Sequence, residues 1–206
     1  MTVSLLHHTP LTYCDKAISK CWDKPYDPDN TNIEKIDRVV NKFRHESTVE
    51  HLTYTFEIKG VSRALLQEQS RHRIASYSVK STRYTLNELK SEYKFTIDRE
   101  GRDRAKKYVV FTDNMEVNNT ILKALEELRL VVNSGVSSDI AKYCLPEAYK
   151  TEYIMTINAR SLRNFLSLRS DKAALWEIRD LAKAIYTQLP EDHKFLFHIK
   201  NPDDIA

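Results

Sequence analysis

The chain has 206 residues, 41% hydrophobic and 30% charged, with 32 basic against 29 acidic side chains and a net charge of +3. That length suits one well-buried core, and the near balance of charge removes the bulk electrostatic reason for a nucleic-acid partner. Its three glycines, Gly60, Gly101 and Gly135, are too scattered for a Gly-x-Gly-x-x-Gly turn or a P-loop, which excludes the glycine-lined dinucleotide and triphosphate cradles.

Residues 3–6 read as a short opening strand, with His7 and His8 at its end. Thr31-Asn32-Ile33-Glu34 fits a capping box with Thr31 at the N-cap and Glu34 three residues on. Behind it Ile33, Ile36, Val39, Val40 and Phe43 share a face, which predicts a helix over 32–44. Residues 52–59 alternate strictly between apolar and polar, the pattern of a half-buried strand in an antiparallel sheet, with Gly60 ending it. A helix over 61–72 follows, leading into an irregular, cation-rich stretch. Residues 98–103 read as an exposed charged segment with short helices on either side. Ile121, Leu125, Leu128 and Val132 mark a helix over 115–133 closed by Gly135. Ser137 or Ser138 caps a short helix that Pro146 terminates. Tyr153, Met155 and Ile157 mark a strand over 151–157, and helices over 159–168 and 172–188 follow, the last stopped by Pro190. The result is a single α+β domain with a small, mainly antiparallel sheet and flanking helices.

Three constellations stand out. Between Arg71 and Arg83 lie four permanent cations, one histidine, four serine or threonine hydroxyls and no carboxylate. Arginine forks and short hydroxyls are the groups that converge on a phosphate. A second acid-free stretch, residues 158–169, carries Arg160, Arg163 and Arg169. Arg169 follows Leu162 by seven residues and so projects toward the apolar face, where an unpaired guanidinium is costly. An ion pair with Glu or Asp would satisfy it, and so would an anionic ligand shared with the first cluster. The third is His45-Glu46-Ser47-Thr48-Val49-Glu50-His51. Its histidines stand six apart with no cysteine partner, which argues against zinc. A capped turn in which Glu50 neutralises a cation is the plain reading, and a ligand-binding polar loop is the functional one. Ser81 lacks the Gly-x-Ser-x-Gly elbow of a nucleophile. Cys14, Cys21 and Cys144 lack metal or redox spacing, and an odd count without a secretory signal fits free thiols in a reducing cytoplasm. No apolar run approaches a membrane span.

Arg71-His72-Arg73, then seven residues, then Ser81, resembles the signature of the flavin-dependent thymidylate synthases. His45-Glu46-Ser47, Glu50-His51, Ser62-Arg63-Ala64-Leu65-Leu66, Leu145-Pro146 and the run from Asn158 to Arg169 resemble the same family in the same order. The resemblance implies a homotetramer that holds FAD and dUMP between subunits. It also implies methylenetetrahydrofolate as one-carbon donor, NADPH as reductant, thymidylate as product, and no metal. By position, Glu68, Gln69, Ser70, Arg71, Ser81, Thr82, Arg83, Lys142 and Arg169 would hold the nucleotide, with Arg169 as the catalytic group at the uracil ring. Ser47, Arg71, His72, Arg73, Asn158, Ala159, Arg160 and Asn164 would contact the flavin cofactor. Two positions depart from the pattern: Val79 stands where many members carry a glutamate, and Lys142 where many carry an arginine. Two other readings remain open here. One is a module that binds RNA or single-stranded DNA through the tyrosine-flanked stretch 71–84; the other is a non-catalytic flavin-binding relative.

Overall fold

The computed structural model describes residues 1–199. In chain order its elements are β1 (Thr2–His8), α1 (Thr12–Cys21), α2 (Ile33–Asp37), β2 (Thr53–Ser62), α3 (Arg63–Gln69), β3 (Ala75–Val79), α4 (Thr82–Thr85), α5 (Arg99–Ala105), α6 (Met115–Asn133), α7 (Ser138–Ala141), β4 (Lys150–Asn158), α8 (Ala159–Arg169) and α9 (Trp176–Gln188). The strands form a four-stranded sheet in the order β1-β2-β4-β3, which makes the fold α+β as expected. The chain divides into two compact units. The first comprises Met1–Lys59, Glu68–Ser78 and the chain from Tyr153 onward; the second comprises Gly60–Gln67 and Val79–Glu152.

In the first unit β1 and β2 pair antiparallel, from Thr2 opposite Lys59 to His8 opposite Tyr54, with a bulge between Leu5 and His7. The alternation read over residues 52–59 is physical: Leu52, just before β2, and Tyr54, Phe56 and Ile58 within it are fully buried. Burying four such side chains contributes roughly 1.5–3 kcal/mol each before entropy is counted. α8 buries Leu162, Phe165 and Leu166, and α9 buries Ile178, Leu181, Ala182 and Ile185. α9 packs on β1, and α8 packs on α9 and on a 3-10 turn, Glu46–His51.

The expected helix over 32–44 is a short α2 followed by a π-turn, Arg38–Lys42. Its cap is Asn32, whose side chain accepts from the Lys35 amide at 2.8 Å, so Thr31 lies outside the helix. α1 was not anticipated. It buries Asp15 and Ser19 beside Cys14 and Ile18, with Asp15 paired to Lys35 and accepting from the Asn32 amide.

Gly60 does not end β2. Its φ of +72°, open to a residue without Cβ, lets the strand continue to Ser62. There the Ser62 hydroxyl accepts from the Leu65 amide at 3.0 Å and starts α3 at Arg63, later than expected. α3 ends at Gln69, so Arg71 and His72 lie beyond it, and residues 75–79 of the supposedly irregular stretch are a strand.

The second unit has its own core, built from Leu86, Leu89, Phe95, Tyr108, Leu122, Leu125 and Leu128 among others. α6 supplies its long apolar stripe, as the periodicity required. Glu126, nearly buried on α6, is satisfied by Arg129 at 2.8 Å and the Phe95 amide at 2.9 Å. Residues 98–103, expected as an exposed segment between helices, instead cap and open the helix α5 (Arg99–Ala105). Asp98 caps it by accepting from the Gly101 amide at 2.7 Å. Gly101 is buried against Thr96 so closely that a Cβ would overlap its backbone.

Candidate active site

Arg169 closes α8 on the face of Phe165, four residues before it, and its side chain is 17% exposed. Such a guanidinium needs acceptors, and it has three. Its Nη1 donates to Glu68 Oε2 at 2.8 Å, its Nη2 to the Glu68 carbonyl at 3.3 Å, and its Nε to His72 Nε2 at 3.0 Å. The ion pair expected for a core-facing arginine is therefore present. His72 stands edge-on to Phe165, with ring centroids 5.0 Å apart. Burial, reinforced by the Arg169 charge, pushes its pKa down to about 4, so the ring is neutral at pH 7. A neutral imidazole that accepts at Nε2 carries its proton on Nδ1. The Tyr77 hydroxyl donates to the carbonyls of Gln69 at 3.0 Å and His72 at 3.1 Å, tying β3 to this turn. Three of the five guanidinium N–H groups are used in this arrangement.

Around this cluster the other expected residues divide by exposure. Arg71 is 73% exposed and lies 3.9 Å from Glu68. Arg73, Ser47 and Asn164 are exposed, and among the described residues none of the three makes a side-chain hydrogen bond or ion pair. Ser70 is exposed as well. Gln69 differs: its side chain is fully buried, with Nε2 2.9 Å from Met155 Sδ. Asn158 caps α8 by accepting from the Ser161 amide at 2.9 Å, and Ala159 donates its amide to the Leu52 carbonyl at 2.8 Å. Arg160 bonds Glu50 at 2.6 Å and lies 3.7 Å from Glu46, so Glu50 does neutralise a cation. The hydrogen bond that Arg160 donates to the Glu50 carboxylate holds its guanidinium above its ordinary pKa. Arg163, named in the acid-free stretch but given no ligand there, reaches Glu46 at 3.5 Å and Asn41 at 3.1 Å. Its signal was available in the chain, since it stands one turn from Ala159 and Arg160 on the same acid-free helix.

In the second unit Ser81 is the N-cap of α4, in extended backbone, and its side chain makes no cap bond. Its carbonyl accepts from the Tyr84 amide at 3.3 Å. Arg83 pairs with Asp139 at 3.2 Å, and α4 packs against α7. Thr82 is half-buried, and Lys142 is exposed on the turn Lys142–Cys144. Val79 is 40% exposed, so this position offers an apolar surface where a carboxylate was the family's usual residue.

A family model described as thymidylate synthase complementing protein matches residues 4–193. The flavin-dependent thymidylate synthase of Campylobacter jejuni is 56% identical over 200 residues, 96% of each chain. That of Wolinella succinogenes is 58% identical over 201 residues, 96% of this chain and 97% of its own. The crystal structure of flavin-dependent thymidylate synthase ThyX from Helicobacter pylori, complexed with FAD and dUMP, superposes with a TM-score of 0.91 at 50% identity, covering 96% of this chain and 98% of the other. With the family matched from residue 4 to 193 and relatives more than half identical along 96% of its length, this chain belongs to the flavin-dependent thymidylate synthases.

Proposed function

We propose that the protein converts dUMP to dTMP by reductive methylation, taking the one-carbon unit from methylenetetrahydrofolate and reducing equivalents from NADPH through FAD. The observation that carries this reading is Arg169, held by Glu68 and a neutral His72 with two N–H groups unspent. Uracil C5 is a weak nucleophile, and a fixed guanidinium donating to the carbonyl and N3 side of the ring stabilises the negative charge that develops there. Arg71, with Glu68, Gln69 and Ser70, in the first unit and Ser81, Thr82, Arg83 and Lys142 in the second would supply the groups that orient the phosphate and ring of the nucleotide. Lys142 keeps the charge of an arginine without its fork, so its hold on the nucleotide is the less directional one. No protein nucleophile is required: Cys14 is buried, with burial pushing its thiol up to about 11.

The exposed donors Ser47, Arg73 and Asn164, unpaired among the described residues, together with the loosely held Arg71, fit an anionic dinucleotide. With His72, Asn158, Ala159 and Arg160 they would hold FAD, which supplies the hydride when bound. We further propose a homotetramer, a cytoplasmic setting, and one flavin-dependent thymidylate synthase-like domain over residues 1–206. The family match runs through both compact units, which supports the single domain. Three free cysteines suit a reducing compartment. Among the described residues no helix is long and apolar enough to cross a membrane.

Release of tritium from C5-labelled dUMP tests the chemistry directly. Protein reconstituted with FAD should release the label when given methylenetetrahydrofolate and NADPH. A protein that takes up no flavin and releases no label would sink the proposal.

A further inference from the structure

The second unit carries an open cleft of about 590 Å³, to which the reading above assigns no role. Ile97, Arg99, Arg102, Asp103, Lys106 and Phe111 line it. Arg99, Arg102 and Lys106 recur at spacings of three and four along α5 and its C-cap, so they share one helical face. At 1.5 Å of rise per residue the three cations span about 10 Å. Asp103 is the one carboxylate among these lining residues, and it is engaged with Lys106 at 2.7 Å and lies 4.0 Å from Arg99. The neighbouring acids are occupied elsewhere: Asp98 caps Gly101, and Glu100 pairs with Arg104 at 2.9 Å.

Arg102 is the distinctive member. Among the described residues it has no carboxylate partner, yet it is held in place by α6, donating to Asn119 Oδ1 at 2.7 Å and lying 2.8 Å from Met115 Sδ. A guanidinium fixed by neutral acceptors keeps its charge uncompensated and loses little side-chain entropy when an anion arrives. Phe111 and Ile97 add an apolar wall beside this row of charge.

We propose that this cleft binds an extended polyanion with an apolar or planar body, its anionic groups along Arg99, Arg102 and Lys106 and its body against Phe111 and Ile97. Two compounds of this chemistry belong to the proposed reaction: a phosphorylated dinucleotide reductant, and a folate that carries an oligocarboxylate tail. The proposal rests on the functional reading only for the choice between them; anion binding itself stands apart from it.

Calorimetric titration of the flavin-loaded protein with tripolyphosphate tests the site. One equivalent per chain should bind, with an affinity that falls as salt rises. The double variant Arg99→Gln/Lys106→Gln alters side chains that are 98% and 65% exposed, so it leaves the core untouched. It should weaken tripolyphosphate about tenfold while flavin content and dUMP affinity stay unchanged. Arg102→Gln should do the same. If the reductant is the occupant, these variants raise KM for NADPH and leave that for NADH unchanged. If the folate tail is the occupant, they weaken a tetra-γ-glutamate peptide and leave NADPH unaffected. No binding by the unaltered protein, or equal binding by the double variant, overturns the proposal. Tripolyphosphate binding in a protein that releases no tritium would retain the site and remove the thymidylate synthase reading.

Discussion

At Arg169 two demands meet: a side chain on the apolar face must be paired, and a guanidinium proposed to act on the uracil ring must keep donors free. Glu68 and His72 meet the first without exhausting the second. The sequence gives half of this, because Arg169 follows Phe165 by one helical turn and Leu162 by two. It conceals the other half. Glu68 lies 101 residues away, and nothing in the sequence shows that His72 is buried beside Phe165, where burial and the Arg169 charge push its pKa down. Arg169→Ala should therefore retain flavin and lower tritium release by about 10²- to 10³-fold, the cost of removing one charge-stabilising donor. Arg169→Lys should recover part of that loss, since it restores the charge without the fork. Normal turnover by the alanine variant would show that the activating group is elsewhere.

Among the elements, those whose stability comes from periodic apolar burial were legible, and those held by polar or small residues were not. β2 and α6 advertise themselves through Tyr54, Phe56 and Ile58, and through Ile121, Leu125 and Leu128. α1 hides because two of its four buried positions are Asp15 and Ser19, made tolerable by Lys35 and Asn32. β3 hides because Ala75-Ser76-Tyr77-Ser78-Val79 offers little to bury; its extended form depends on pairing within the sheet. α5 hides because its only buried positions, Gly101 and Ala105, are small. Helix starts are the other point where local chemistry decides. Asn114 caps the 19-residue α6 by accepting from the amides of Glu116 at 2.9 Å and Val117 at 3.0 Å. Asn114→Ala should cost about 1 kcal/mol, which for a chain of this size lowers Tm by roughly 2–4 °C. Asn114→Asp should retain the cap. Thermal unfolding measures both, and an alanine variant that melts with the parent protein would remove the cap from the account of α6.

At the level of the whole molecule, the α+β class followed from the alternation and the helical stripes, whereas the proposed homotetramer did not, because contacts between subunits would leave no period in a single chain. Acid sensitivity belongs to this scale as well, through His193. Its side chain is fully buried and its Nδ1 lies 2.7 Å from the Tyr54 hydroxyl. Burial holds Tyr54 far above its ordinary pKa, so it remains the donor and His193 the neutral acceptor. His193 Nε2 has no partner among the described residues, and the His8 ring stands edge-on to it at 5.0 Å. Burial pushes the His193 pKa from 6.5 down to about 4. Between those values the unfolded chain binds a proton that the folded protein refuses, so stability falls as pH drops below 6.5 and stops falling from this source near 4. The slope is at most about 1.4 kcal/mol per pH unit for one such group. His72, also pushed to about 4, adds to it in the same direction. The carboxylates held low, such as Glu126 with Arg129, act only at more acid pH, so the interval from 6.5 to 5 isolates the histidines. Urea unfolding across that interval should show a falling free energy, and His193→Gln, which still offers Tyr54 an acceptor, should make the fall shallower. Parallel lines for the two proteins would mean that His193 is protonated equally in the folded and unfolded chains.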